Sequence, residues 1–259
     1  NNVRAIIGAY QSNVAIAATS ISEKYKTPFI VNTGISDIII ERGYDYTFRI
    51  IPSIDNYADT KVQFLKFLNR GRTTPVKNIA LIYENSAYGT GAAMAEHKFL
   101  KKAGFTVSSE ITYEETDLDP LMDKIASISA ENPDAIFTTT HLKDSIAIIK
   151  RLKETGCYGP VIDTGGGTIT QEFIGKSGQD GEGVYSVSEF DYSLPVVQNL
   201  NARYKARFGK NLSGASAFSY QAVIVLRDAI ERSLSLERKD IRDAISETNI
   251  TSKIENILP

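Results

Sequence analysis

Short segments rich in β-branched and aromatic residues alternate with longer segments of helical periodicity along most of the chain. This alternation predicts strands joined by helical crossovers, which places the strands side by side in a parallel sheet. The predicted strands are residues 4–8, 28–32, 46–51, 78–83, 106–112, 135–139, 160–163 and 183–188. The predicted helices between them, which carry apolar residues three and four positions apart, are 14–24, 55–69, 89–103, 118–130 and 143–155. We therefore expect an α/β protein in which helices flank mostly parallel sheets.

The alternation stops after Ser188, where three successive helices are predicted at 196–208, 215–233 and 238–247. A helical block at the end of a strand-helix series needs a sheet to pack on, so we expect it to return to the first strands. A chain of 259 residues also lies near the length at which single cores divide into two lobes.

The charge balance excludes several classes of partner. Lys and Arg total 29 against 31 for Asp and Glu, and they form no basic run that would neutralise a row of phosphates. The apolar runs are far shorter than the roughly 20 residues that span a bilayer. We therefore expect no nucleic acid partner and no direct membrane insertion. Cys157 is the single cysteine, which excludes an internal disulfide and a cysteine-rich metal site.

The sequence offers little support for catalysis or for a cofactor. His97 lies among charged residues of a predicted helix, which is typical of a solvated surface histidine. His141 follows a predicted strand, where a histidine more often lines a cleft than acts as a general base. The chain has no Gly-x-Ser-x-Gly elbow, and its glycines around Gly89 lack the setting of a dinucleotide fingerprint. We therefore expect a protein that is not an enzyme and needs no cofactor or metal.

Polar residues follow the first two predicted strands. Ser12 comes after the first strand and precedes a predicted helix, and Gly34, Ile35 and Ser36 come after the second strand and lead towards a helical run. Two neighbouring strand ends would offer hydroxyl groups and helix N-terminal amides to one carboxylate, without a cationic side chain. The alternative is that each serine only caps a helix. The glycine run at Gly165 allows a similar choice between an anion site and a tight turn.

Several segments stand in a particular order and spacing along the chain. They are AIIG followed by Ser12, PFIV followed by Gly34-Ile35-Ser36, YTFR at 46–49, ALIY at 80–83 with YGTG at 88–91, PDAIF at 133–137, GEGVY at 181–185 and SYQAV at 219–223. In this order and spacing they resemble the Leu/Ile/Val-binding family of ABC-transporter substrate-binding proteins. The resemblance covers essentially the whole chain.

The resemblance implies a two-lobed type I periplasmic-binding fold, in which each lobe is a mostly parallel sheet flanked by helices. Residues 1–53 with 189–259 would form lobe 1, and residues 54–188 would form lobe 2. Family members begin with a further strand-helix-strand-helix portion and continue past Pro259, so the resemblance implies that lobe 1 is incomplete and that the sequence is truncated at both ends.

The resemblance also implies which residues bind the ligand in a cleft between the lobes. Ser12 and Gly34-Ile35-Ser36 would hold the ligand carboxylate. Tyr88 and His141 would face the cleft from the second lobe, and Phe190 would lie near a hinge contact.

The chain departs from the family pattern at the position that holds a ligand ammonium group. Thr164 stands where members often have an acidic residue before a glycine, and Asp163 comes one position earlier. Neighbouring strand residues point to opposite faces, so Asp163 can replace the acid only if the loop shifts. The ligand is expected to be an amino acid, branched-chain or similar, or a related small carboxylate.

The expected function is that of an extracytoplasmic solute-binding protein that delivers its ligand to ABC transporter permease subunits. Its expected location is periplasmic or extracellular, with or without a lipid anchor. A ligand-sensing receptor or regulator domain of the same fold is the first alternative. An enzyme acting on a small molecule is the second.

Overall fold

A computed structural model describes residues 2–249, so the end of the sequence-assigned first lobe, 250–259, lies outside the described residues. The described chain divides into two units. Residues 2–52 and 189–249 form unit 1, and Ser53–Ser188 form unit 2. Each has its own sheet and core, which confirms the predicted α/β class with parallel sheets flanked by helices.

Unit 1 contains a three-stranded parallel sheet in the order β1-β2-β3, formed by β1 (Ile6–Gly8), β2 (Phe29–Val31) and β3 (Thr47–Arg49). Its helices are α1 (Ser12–Lys24), α2 (Ile38–Glu41), α8 (Gln198–Phe208), α9 (Gly214–Ser233) and α10 (Arg238–Ser246). Ala15 of α1 packs with Phe29 and Val31 on one face of the sheet. Ile30 points to the other face, where α9 and α10 cover it. The final helices therefore return to the first strands, as predicted.

Unit 2 contains a five-stranded parallel sheet in the order β5-β4-β6-β7-β8. Its strands are β4 (Asn78–Glu84), β5 (Thr106–Tyr113), β6 (Ala135–Thr139), β7 (Val161–Asp163) and β8 (Val184–Ser186). Its helices are α3 (Ile54–Leu68), α4 (Gly89–Ala103), α5 (Asp119–Glu131), α6 (Leu142–Glu154) and α7 (Gln171–Ser177). The chain order reverses between β4 and β6, and such a switch point opens a crevice at the carboxyl ends of the strands.

Alternation along β4 explains the two cores of unit 2. Ile79 and Leu81 pack towards α3 and α4, whereas Ala80 and Ile82 pack towards α5 and α6. A strand buried on both faces reads as a continuous apolar run, as β4 does. Among the described residues, none of the helices combines the length and the apolar character needed to cross a bilayer.

Candidate ligand-binding site

Ser12 and Ser36 meet at the carboxyl ends of two neighbouring strands of unit 1. Gly8 and Val31 pair across β1 and β2, so the loops that follow these strands start side by side. The backbone N–H of Ser36 donates to Oγ of Ser12 at 3.3 Å, and both residues are buried. The two serines predicted to act together are therefore in direct contact.

Neither serine caps a helix. The residue at the N-cap of α1 is Gln11, and Ser12 occupies the first helical position without bonding back to its own first turn. The N-cap of α2 is Asp37, also without a side-chain cap bond. Because the Ser12 hydroxyl is bonded to the neighbouring loop, its position depends on the approach of two loops and not on helix capping.

Arg49, at the end of β3, holds the loop that contains Ile35 and Ser36. Its guanidinium donates to the carbonyl oxygens of Ile35 at 2.9 Å and Ser36 at 3.2 Å, and to the carboxylate of Asp37 at 2.7 Å. With their carbonyl groups bonded to Arg49, the peptides of this loop have a fixed orientation. Sequence reasoning did not assign Arg49 to the site, although an arginine that ends a strand beside a predicted binding loop was a usable signal.

Gly34 allows the same loop to lie close to the sheet. A Cβ atom added at Gly34 would lie 3.0 Å from Ile39 Cδ1 and 3.3 Å from Ala15 Cβ, and both distances are tighter than ordinary contact. The loop can lie this close to the sheet because Gly34 has no side chain.

Tyr88 and His141 stand on the two sides of the switch point in unit 2. Tyr88 follows β4, and His141 is the N-cap residue of α6, separated from the end of β6 by Thr140. Their rings lie 5.4 Å apart between centroids, with planes inclined by 31°. The N–H of Gly166 donates to the Tyr88 hydroxyl at 3.2 Å. Two predicted wall residues thus form one aromatic surface, and the glycine run lies against it.

The glycine run packs too closely against its neighbours to carry side chains. A Cβ atom at Gly166 would lie 2.5 Å from the Thr140 carbonyl oxygen, and one at Gly167 would lie 2.5 Å from that of His141. The N–H of Gly165 donates to Asp163 at 2.8 Å, so this donor is bonded within the chain. These contacts favour the tight-turn interpretation of the run over the anion site.

Asp163 is fully buried, and its carboxylate accepts four hydrogen bonds from its own unit. Oδ1 accepts from the hydroxyls of Thr138 at 2.8 Å and Thr140 at 2.9 Å. Oδ2 accepts from the N–H of Gly165 at 2.8 Å and the hydroxyl of Thr168 at 2.9 Å. Because a carboxylate has about four acceptor positions, a ligand ammonium could bind Asp163 only by displacing one of these donors.

Thr164 points to the opposite side of the strand end, as its position after Asp163 requires. It is buried, and its hydroxyl lies 3.0 Å from Lys61 Nζ, 2.8 Å from Thr139 Oγ1 and 3.3 Å from Glu96 Oε1. Thr164 thus joins a polar cluster between the sheet and helices α3 and α4.

The ion pair at the centre of this cluster was missed by sequence reasoning. Lys61 has 0% exposure, and its Nζ lies 2.6 Å from Glu96 Oε1. Burial raises the pKa of Glu96, and the neighbouring Lys61 charge opposes that shift. A usable signal existed: Lys61 interrupts the apolar stripe formed by Ala58, Val62 and Leu65 on α3.

The family model described as periplasmic binding protein matches residues 1–256. The chain belongs to the periplasmic binding protein family. A curated relative, Leu/Ile/Val-binding protein homolog 7 of Brucella abortus (strain 2308), is 27% identical over 261 residues, which cover 96% of this chain. The chain spans 65% of the length of that relative.

Solved structures support the same fold. The leucine-binding protein LivK of Thermotoga maritima MSB8 has a TM-score of 0.86 at 24% identity, covering 98% of this chain and 71% of that one. A solute-binding protein of R. palustris, solved in complex with benzoate, has a TM-score of 0.81 at 18% identity, covering 94% and 67%. At these identities the likeness concerns the fold.

The predicted site residues fall into four sets. Ser12 and the 34–36 loop meet in unit 1, and Tyr88 and His141 meet in unit 2. Phe190 lies beside the start of α9. A Cβ atom added at Gly214 would be 3.6 Å from the Cβ atom of Phe190. Asp163 and Thr164 bond within unit 2.

Two further buried acids lie close in sequence to Tyr88 and His141. Glu84 ends β4 and accepts from the N–H of Gly89 at 2.9 Å, and Asp144 in the first turn of α6 accepts from the Tyr113 hydroxyl. Burial raises the pKa of Glu84 and of Asp144. Within residues 2–249 no group of three or more His, Cys, Asp or Glu is placed to hold a metal ion.

Proposed function

We propose that this protein is an extracytoplasmic solute-binding protein of an ABC transporter and that it captures an amino acid, branched-chain or similar, or a related small carboxylate. The observation that carries the proposal is the contact between Ser12 and Ser36 at 3.3 Å. It places a hydroxyl group and the first turn of α1 together at the carboxyl ends of β1 and β2, where backbone N–H groups and the helix dipole favour an anion.

In this proposal the ligand carboxylate binds to Ser12 and to the loop Gly34-Ile35-Ser36. Tyr88 and His141 contact the remainder of the ligand, and Phe190 adds an apolar contact. Asp163 and Thr164 act indirectly, because their polar atoms are bonded to residues of their own unit. The names of the relatives support this range of ligands, since they include a Leu/Ile/Val-binding homologue, a leucine-binding protein and a protein in complex with benzoate.

The proposal extends to the partners and the location. In this proposal the protein lies outside the cytoplasm, with or without a lipid anchor, and delivers its ligand to the permease subunits of the transporter. The homologues are binding proteins and not enzymes, which agrees with the absence of a serine elbow from the sequence.

A ligand screen tests the proposal. The melting temperature is measured with L-leucine, L-isoleucine, L-valine and benzoate at 1 mM, and each positive result is repeated by calorimetry. A ligand that binds only the folded protein raises its stability by about 2.7 kcal/mol at a concentration of 100 Kd. We expect at least one compound to raise the melting temperature of the wild type clearly. This rise should be smaller in Ser12→Ala. A response to none of these compounds, or a response unchanged in Ser12→Ala, contradicts the proposal.

A further inference from the structure

The buried Lys61–Glu96 ion pair connects two helices to the strand ends of unit 2. Besides Glu96, Lys61 Nζ donates to the Thr138 carbonyl oxygen at 3.1 Å and to the Thr164 hydroxyl at 3.0 Å. It also lies 4.4 Å above the Phe137 ring. All three ammonium protons therefore have acceptors, and two of these acceptors belong to the ends of β6 and the loop after β7.

Stability alone does not account for this pair. Taking two charges out of water is costly, and replacing a buried ion pair with apolar residues of similar volume is often neutral or stabilising. Met in place of Lys61 and Leu in place of Glu96 would continue the apolar stripes of α3 and α4.

The pair holds the loop 164–168 through its first residue. The Thr164 hydroxyl accepts from Lys61 and lies within 3.3 Å of Glu96, so both charges fix one side of this loop. Asp163 fixes the other side through Gly165 and Thr168. Gly166, between these anchors, donates to the Tyr88 hydroxyl at 3.2 Å.

We propose that Lys61 and Glu96 are positioning residues for the ligand site, which hold Thr164 and thereby keep Gly166 bonded to Tyr88. The assignment of Tyr88 to the ligand rests on the proposed function. The effect of the ion pair on the 164–168 loop does not depend on the proposed function, so an experiment can contradict either one separately.

Hydrogen exchange of the whole chain tests the positioning step without a ligand. The variant is Lys61→Met/Glu96→Leu, which removes both charges together. The matched control is Asp55→Asn/Lys98→Met, because this exposed pair also joins α3 to α4, at 2.5 Å. We expect amides of residues 164–168 to exchange on the order of ten times faster in the first variant, while β4 stays protected and the control matches wild type.

A second pair of variants covers the case in which the double variant does not fold. Thr164→Val removes the hydroxyl and should accelerate exchange in the same loop, whereas Thr164→Ser keeps it and should restore the wild-type rate. Thr47→Val controls for the loss of a buried threonine hydroxyl, since Thr47 Oγ1 has no hydrogen-bond partner among residues 2–249. A merely structural role would accelerate exchange throughout unit 2 and would not separate serine from valine.

The binding measurement comes second. With L-leucine or benzoate, whichever binds the wild type, we expect Lys61→Met/Glu96→Leu and Thr164→Val to weaken affinity about tenfold, equivalent to about 1.4 kcal/mol, while Thr164→Ser and both controls do not. Unchanged exchange at 164–168 in both test variants overturns the proposal, as does unchanged affinity with a loosened loop. If neither probe binds the wild type, the proposed function fails for these ligands, and the exchange result still decides the positioning step.

Discussion

The hydroxyl of Ser12 accepts a hydrogen bond from the backbone N–H of Ser36, a residue 24 positions later in the chain. This bond joins the loops that follow two adjacent parallel strands. This bond uses one lone pair of the hydroxyl, whose O–H group can still donate to an acceptor on a ligand. The site in unit 1 thus depends on two loops held in register with each other.

Ser12→Ala is expected to weaken ligand binding by roughly 1 to 3 kcal/mol, the usual range for a hydrogen bond to a charged group. Calorimetric titration with L-leucine or benzoate measures the change. Ser22→Ala is the control, because Ser22 is a buried serine of the same helix. Its hydroxyl donates to the Thr19 carbonyl oxygen at 3.1 Å. Equal affinity losses in both variants would show a general effect on α1 and not a contact with the ligand.

Asp163→Asn is expected to lower the free energy of unfolding by about 3 kcal/mol, because an amide nitrogen would face donors that now bond to the carboxylate. Urea unfolding measures this change, and the exposed Asp191→Asn serves as the control. The same variant decides whether Asp163 binds a ligand ammonium. The ratio of affinities for L-leucine and its deaminated analogue, 4-methylpentanoate, should stay as in wild type. A collapse of that ratio would restore Asp163 as the ammonium-binding residue.

Gly167→Ala and Gly175→Ala are expected to change stability in opposite directions. The new methyl group at Gly167 would meet the His141 carbonyl oxygen at 2.5 Å, and such overpacking costs about 1–3 kcal/mol. At Gly175, inside α7, it would meet nothing within 4 Å and should stabilise by about 0.5–1 kcal/mol. Thermal unfolding of both variants measures the difference. A stable Gly167→Ala protein would mean that the loop can move away from His141.

Glu84→Gln is expected to change how stability depends on pH. Folding raises the pKa of Glu84 above its ordinary value of 4.5, mainly through burial. The unfolded state therefore loses its proton first, and the stability that this group contributes is present below pH 4.5 and lost as pH rises through the folded value. Glutamine cannot ionise, so the variant should gain stability relative to wild type as pH rises above 4.5.

Glu110→Gln gives the opposite sign and serves as the control for Glu84→Gln. Burial acts to raise the pKa of Glu110, but the hydrogen bonds with Tyr83 and His97 outweigh it and hold the pKa below the ordinary value. This group contributes stability above pH 4.5 that is lost as pH falls. Melting temperatures between pH 4 and 8 measure both variants. Parallel curves for wild type and Glu84→Gln would contradict the assignment of this dependence to Glu84.

Local periodicity was sufficient to predict most of the fold. All eight predicted strands are present in the described chain, and the helix Gly89–Ala103 has the predicted bounds. The short helix α7 was missed because seven residues are too few to show a helical period. The parallel topology was predicted from the alternation of strands with helical crossovers.

The candidate site was less predictable because its contacts join distant parts of the chain. Sequence position placed Ser12 near Ser36 and left open whether Asp163 faces a ligand. The answer depends on four donors spread over 138–168, which alternation along a strand does not reveal. The Lys61–Glu96 pair depends on the packing of α3 against α4, and each charge alone looks like an interruption of an apolar stripe.

Unit 2 is one continuous stretch of chain, whereas unit 1 is assembled from two stretches on either side of it. During synthesis, Ile30 and its sheet leave the ribosome before unit 2, but the helices α9 and α10 that cover them arrive only after all of unit 2. At about 5–20 residues per second this interval lasts on the order of ten seconds. We expect unit 2 to be protease-resistant in nascent chains by the time synthesis has reached residue 230. Strands β1–β3 should remain cleavable until α9 and α10 have left the ribosome. The order of translation would then make the early strands the part of this chain that most needs protection from aggregation.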